Sequence, residues 1–170
     1  FKAVSLISPS AQATQSSTYE QGDAWRAIDG NTNQNYGVEP RTTHTLGGPA
    51  YWQVDLGLVG TVTKIVVWPQ QGWGFDLING AILELLDGNG DVKASRTITI
   101  GLQSNPRFES FEFEQRVQNV AVIKINSQKH ICLGEVQAYG FSEELSLAPT
   151  TKPTLSPFMS PSDGPSEIPT

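Results

Sequence analysis

Residues 50 to 69 read AYWQVDLGLVGTVTKIVVWP. The first part alternates, with Trp52, Val54 and Leu56 on one side and Tyr51, Gln53 and Asp55 on the other. This is the two-residue period of a strand with one buried face. The second part continues in β-branched residues and stops at Pro69, which cannot extend a sheet ladder. Further strands are expected over 80–86, 91–100, 108–113, 117–125 and 131–140, each bounded by Gly, Asn or Pro. Many short strands at this spacing imply an all-β sandwich. No helix longer than a turn or two is expected, and the best candidate is Ala24 to Ile28.

The chain has 170 residues, enough for one domain with a sizeable core, and its 16 Gly and 11 Pro favour short strands and turns. After Phe141 the text changes to SEELSLAPTTKPTLSPFMSPSDGPSEIPT, rich in Pro, Ser and Thr and without apolar period. Such a segment buries too little surface to offset its ordering entropy. The reading is therefore one sandwich domain over 1–141 and an extended linker or stalk over 142–170. That stalk is either O-glycosylated or an unmodified flexible tail.

Charge narrows the partners. With 11 Lys and Arg against 17 Asp and Glu, the net charge of -6 repels phosphate backbones and anionic lipid surfaces. No nucleic-acid partner is expected, and without a long apolar run no membrane insertion is expected. The sequence begins at Phe1 without Met and carries one cysteine, so it reads as a processed or excised soluble piece held together without disulfides.

The stretch WRAIDGNTNQNYG, Trp25 to Gly37, concentrates side-chain oxygens. Hard cations such as calcium take oxygen ligands from carboxylates, amides and carbonyls. The EF-hand pattern fails here, because counting from Asp29 the sixth residue is Gln34 and the twelfth Pro40. A metal site and an ion-free Asp-Gly turn capped by side chains both suit the residues. DGNGD, Asp87 to Asp91, lies between two strand patterns and reads as a hairpin turn.

Taken in order, AWRAIDGNTNQNY, TTHT, YWQVDLG, KIVV, LELLDGNGDV and LGEVQAYG resemble the galactose-binding-like family of discoidin, or coagulation factor 5/8 C-type, domains. The resemblance spans about Ala3 to Gly140. Within the superfamily, THT before YWQVDLG and the terminal GEVQAYG are most similar to F-type lectins (fucolectins) and galactose-binding carbohydrate modules. The implied fold is an eight-stranded jelly-roll β-sandwich. The resemblance also implies a structural calcium ion. Its ligands would be the carbonyl of Arg26, the side chain of Asp29, the carbonyl of Asn31, a group at Arg41 or Thr42, the carbonyl of Gly134 and the carboxylate of Glu135.

The resemblance places ligand loops at the metal end, over 33–44, 69–76 and 127–130. Sugar recognition needs an aromatic face and a few fixed hydroxyl partners. The loops supply Tyr36, Arg41, His44, Gln70, Gln71, Trp73, Asp76, Lys129 and His130. His44 matches the fucose-motif histidine, while Gln71 and Asp76 stand where that motif has its two arginines. The family's disulfide cysteines are absent. His44 either meets the ligand or braces its loop. Trp73, between glycines, is expected to be an exposed stacking platform, whereas Trp25, Trp52 and Trp68 are expected in the core. Lys129 and His130 are either ligand contacts or solvated loop residues, and Cys132 either a buried inert thiol or a link between chains.

The sequence holds two histidines, no His-Glu-X-X-His, no Gly-X-Ser-X-Gly and no phosphate loop. His130 and Cys132 share a strand face, but no oriented base or oxyanion site is suggested, so an enzyme is not expected. Two functions follow. The first is a calcium-stabilised, lectin-like module of an extracellular or cell-surface protein, binding glycans of cell surface or matrix. The second is a structural subunit of an extracellular glycoprotein fibre or wall, self-associating through the Pro/Ser/Thr tail.

Overall fold

A computed structural model describes residues 2–37, 42–72, 75–101 and 107–142. The described residues form an antiparallel all-β sandwich, the expected class. Its strands are β1 (Val4–Ser5), β2 (Gln12–Gln15), β3 (Ala50–Pro69), β4 (Ile82–Leu86), β5 (Val92–Thr97), β6 (Glu109–Ser127) and β7 (Leu133–Ser142). They are hydrogen-bonded in the order β1-β7-β3-β6-β4-β5, with β2 on the free side of the first half of β3.

Among the described residues seven strands are assigned, and β3 and β6 are long and continuous. Each joins two stretches that read as separate strands in sequence. Residues 50–55 of β3 pair with β2 and with the end of β6, while 60–69 pair with β7 and 60–67 also with the start of β6. Between these halves the register shifts repeatedly, Gly57 adopts φ +66° and Asn119 of β6 φ +59°. Bulges of this kind let a strand turn the corner from one layer to the other. β7 extends through Ser142, one residue into the segment read as tail; Glu143 to Thr170 lie outside the described residues.

Between the layers the apolar faces meet. Trp52, Val54 and Leu56 from the first half of β3, Leu83 and Leu85 of β4, and Ile123 and Ile125 of β6 are fully buried. Ile65, Val67, Val136 and Ala138 close the second layer. Each buried Val, Leu or Ile side chain contributes about 1.5–3 kcal/mol relative to exposure. The indole N–H of Trp52 donates to the Ala24 carbonyl at 2.9 Å and ties the 3-10 turn Ala24–Ala27 to the core.

Two tryptophans expected in the core are not there. In the 3-10 turn the three-residue period turns Ala24 and Ala27 inward, leaving Trp25 50% exposed with the Arg26 guanidinium 4.8 Å from its ring centroid. Trp68 alternates with buried Val67, so it faces outward, half-buried, and packs on Phe108 with centroids 4.7 Å apart. The Asp87–Asp91 hairpin turn forms as expected: Asp87 Oδ1 accepts the N–H groups of Asn89 and Asp91 at 2.9 and 3.0 Å.

Residue 50 pairs with Ser127 and residue 69 with Leu133. Both ends of β3 therefore finish beside the short connection from β6 to β7. This gathers the described residues of the connections 16–49, 70–76 and 128–132 at one end of the sandwich.

Candidate functional site

The polar run from Asp29 has a two-residue period in the structure. Oδ1 of Asp29, Asn31, Asn33 and Asn35 each accepts the backbone N–H two residues on, at 2.8, 2.8, 3.1 and 3.0 Å. Short Asp and Asn side chains reach their own backbone in this way, which fixes a loop without regular structure. Gln34 interrupts the run and is 4% exposed. Its Nε2 donates to the carbonyls of Pro69 and Arg107 at 2.7 and 2.6 Å, and its own carbonyl accepts from Gln71 N–H at 2.6 Å.

This loop lies against the start of β7. A Cβ at Gly134 would sit 3.2 Å from the Asn33 carbonyl, tighter than most side chains tolerate. Glu135 beside it is 4% exposed, and its carboxylate accepts the backbone N–H groups of Gly30 and Asp29. Oε2 of Glu135 is buried with no hydrogen-bond partner among the described residues. Burial, and then the charge of Asp29, push its carboxyl up to about 8, against the opposing pull of the two N–H groups. An orphaned carboxylate oxygen beside a second carboxylate is the condition that a hard cation relieves, and an all-oxygen donor set suits calcium.

The other expected metal ligands are placed as follows. Asn31 holds the turn through its side chain, as above. Arg26 lies in the 3-10 turn, with its N–H donating to the Asp23 carbonyl at 3.2 Å. Thr42 is fully buried and its hydroxyl donates to Gln70 Oε1 at 3.2 Å. Arg41 lies outside the described residues.

His44 is the hub of the expected ligand loops. Its ring centroid lies 5.0 Å from Tyr19, 5.2 Å from Tyr36, edge-on, and 5.5 Å from His130. The Tyr36 hydroxyl donates to Glu20 at 3.1 Å. The backbone of His44 is fixed on both sides, its N–H donating to Gly22 at 2.8 Å and its carbonyl accepting from Tyr19 at 2.9 Å. Burial, then the neighbouring His130, lower the His44 pKa below the ordinary histidine range, partly offset by Glu20. Burial pushes the Cys132 thiol up to about 12.

Next to Tyr36 a cleft of about 510 Å³ is lined by Asn35, Tyr36, Gly37, Gln70, Gln71 and Gly72. Of the expected ligand residues the fold thus brings together Tyr36, His44, His130, Gln70 and Gln71. Asp76 is exposed on the 3-10 turn Phe75–Ile78, and Lys129 is exposed before β7, its N–H donating to Ser127 Oγ at 3.0 Å. Neither lines that cleft. Trp73 lies outside the described residues.

Tyr19, Glu20, Gly22, Gln34 and Asn35 were not singled out by sequence. Only the two-residue spacing of Asp29, Asn31, Asn33 and Asn35 was visible there as a signal. The approach of residues 19–22 to His44 depends on long-range pairing.

The fold matches that of fucose-binding modules, an F-lectin and an F5/8 type C domain, in line with the resemblance to the galactose-binding-like, or discoidin, superfamily. No protein-family model matches it, and no curated protein does. Among solved structures it is similar to a Streptococcus pneumoniae fucose binding module, at 25% identity and TM-score 0.70, covering 81% of this chain and 95% of that one. It is also similar to the lectin domain of lectinolysin, complexed with Lewis B antigen, at 28% identity and TM-score 0.66, covering 76% and 92%. A fucolectin from striped bass (Morone saxatilis) serum matches at 25% identity and TM-score 0.64, covering 81% of this chain and 47% of that one. No helix among the described residues is long and apolar enough to cross a membrane.

Proposed function

We propose that this domain is a calcium-stabilised carbohydrate-binding module of an extracellular protein, taking glycans at the loop end of the sandwich. The observation that carries this reading is the meeting of Tyr36 and His44 beside the cleft that holds Gln70 and Gln71. An aromatic edge next to amide groups offers an apolar surface for a pyranose and fixed donors and acceptors for its hydroxyls. The fucose and Lewis B ligands of the neighbouring structures are sugars of that chemistry. Where the F-type motif has its two arginines this chain has Gln71 and Asp76, so the preferred ligand is a neutral glycan held without those two cations. Lowered basicity keeps His44 neutral near pH 7, with one ring nitrogen able to accept and the other to donate.

Calcium enters as the proposed occupant of the Asp29 and Glu135 pair. When bound, it supplies positive charge that neutralises both carboxylates. Asp29, Asn31, Gly134 and Glu135 would hold it, with Arg26 and the 41–42 segment completing the shell. The residues do the positioning themselves: the Asx ladder and Gln34 carry the loop from the metal end to Tyr36.

A glycan array on the full chain, with calcium and then with chelator, tests the reading. Saturable binding that is lost in Tyr36→Ala and His44→Ala supports it. A blank array from folded protein in calcium discards it, and the fibre or wall role through the Pro/Ser/Thr tail then takes its place.

A further inference from the structure

Two bonds set the register of the segment around His44 against the chain entering β7: Thr43 N–H donates to the Leu133 carbonyl at 2.8 Å and Thr45 N–H to the Ile131 carbonyl at 3.0 Å. This antiparallel register puts His44 directly opposite Cys132, and His130, two residues before Cys132, on the same face. Neither His44 nor Cys132 spends backbone bonds on the other, since they bond outward to Gly22 and Tyr19 and to Gln70. In such non-hydrogen-bonded pairs the side chains come closest.

The result is a cluster in which one ring nitrogen of His44, one of His130 and the sulfur of Cys132 all lie within 4.8 Å of one another. Nδ1 of His44 and Nε2 of His130 are buried and have no hydrogen-bond partner among the described residues. Cys132 is a free, buried thiol. Buried imidazole nitrogens are normally satisfied, so two histidines that each keep an unsatisfied buried nitrogen in a cluster with a thiol call for an electron-pair acceptor.

We propose that His44, His130 and Cys132 form a binding site for a borderline-soft divalent metal ion of the zinc class. Two imidazoles and a thiolate are three of the four ligands of a tetrahedral zinc site, and such three-ligand sites leave the fourth position to water or an incoming ligand. Bound zinc would sit about 2.0–2.1 Å from each imidazole nitrogen and about 2.3 Å from the sulfur. The thiol proton leaves to solvent as the sulfur–metal bond forms. Calcium does not compete, because it selects oxygen ligands, which the Asp29 and Glu135 end supplies. The domain therefore carries two chemically distinct cation sites on one β7 entry segment, with Cys132 and Glu135 three residues apart.

The test is a titration of the full chain with cobalt(II), a spectroscopic stand-in for zinc, in excess calcium. The expected result is a saturable one-to-one rise of a thiolate-to-cobalt charge-transfer absorption with tetrahedral d–d bands, both removed by zinc. Cys132→Ala abolishes the charge-transfer band, and His130→Gln weakens cobalt binding at least tenfold. Should the buried Cys132→Ala not fold, wild type and the half-buried His130→Gln decide alone. Absence of the band in folded wild type, or unchanged affinity in His130→Gln, overturns the proposal. No glycan enters the measurement, so its outcome is separate from that of the carbohydrate reading.

Discussion

The carboxylate of Glu135 is bound by the backbone N–H groups of Asp29 and Gly30, while the charge of Asp29 disfavours its ionisation. The turn and the first residues of β7 thus attract each other through dipoles and repel through charges. A bound cation would remove the repulsion and leave the attraction. The same loop continues through the Asx ladder to Tyr36, so the charge state at this pair is mechanically connected to the cleft.

Chelation should therefore lower stability. A ligand at a hundred times its dissociation constant stabilises a fold by about 2.7 kcal/mol. For a domain of this size that corresponds to a fall in Tm of roughly 5–10 °C on adding chelator. Thermal unfolding with calcium and with chelator measures it. In Glu135→Gln the difference should vanish, and a variant still stabilised by calcium to the wild-type extent would refute calcium at this pair.

Without calcium, pH should act in a defined direction. The folded Glu135 carboxyl is raised to about 8 from its ordinary 4.5, so the folded chain keeps a proton that the unfolded chain has lost. The contribution is fully present below about pH 4.5 and is lost as pH rises through about 8. Denaturant titrations in chelator at about pH 5 and about pH 8 should show wild type losing more stability over that interval than Glu135→Gln. Equal losses would mean that the carboxyl titrates normally.

Much of this architecture was legible from sequence, because alternation at Trp52, Val54 and Leu56 and turn chemistry at Asp87 to Asp91 are local. The missed strands are β1 and β2. Gln12–Gln15 is polar and only partly buried, so it carries no apolar period, and its place in the sheet comes from pairing with β3. The continuity of β3 and β6 was hidden because Gly57 and Gly60 read as breaks, whereas the structure uses this stretch as a bend. Trp25 and Trp68 show the limit of composition: apolar neighbours do not say which face a tryptophan occupies. The pairing of His44 with Cys132 is a matter of register between segments 88 positions apart, which no local pattern encodes.

Gly22 should resist substitution because of His44. A Cβ there would sit 2.6 Å from both Cβ and N of His44, and the His44 backbone is held by bonds to Gly22 and Tyr19. Gly22→Ala must push the histidine segment away, at a cost of about 1–3 kcal/mol by overpacking. Denaturant unfolding reads the stability, and affinity for the strongest array glycan should fall at least tenfold. Unchanged stability and affinity together would show that the segment yields freely.

Gln34 offers the sharpest separation of loop anchoring from ligand contact. It is buried, and its amide nitrogen donates to the carbonyls of Pro69, the last residue of β3, and Arg107, just before β6. Gln34→Leu keeps much of the volume and removes both donors, leaving two partly buried acceptors at about 1–3 kcal/mol each if water does not reach them. A net loss of about 2–4 kcal/mol is expected by chemical denaturation. Because Gln34 is not among the residues lining the cleft, weaker glycan binding in this variant would come from displacement of Tyr36 and Gln71. Quenching of tryptophan fluorescence by a neutral additive, compared between the variants, would report that loosening. Wild-type stability in Gln34→Leu would mean that the Asx ladder holds the loop without it.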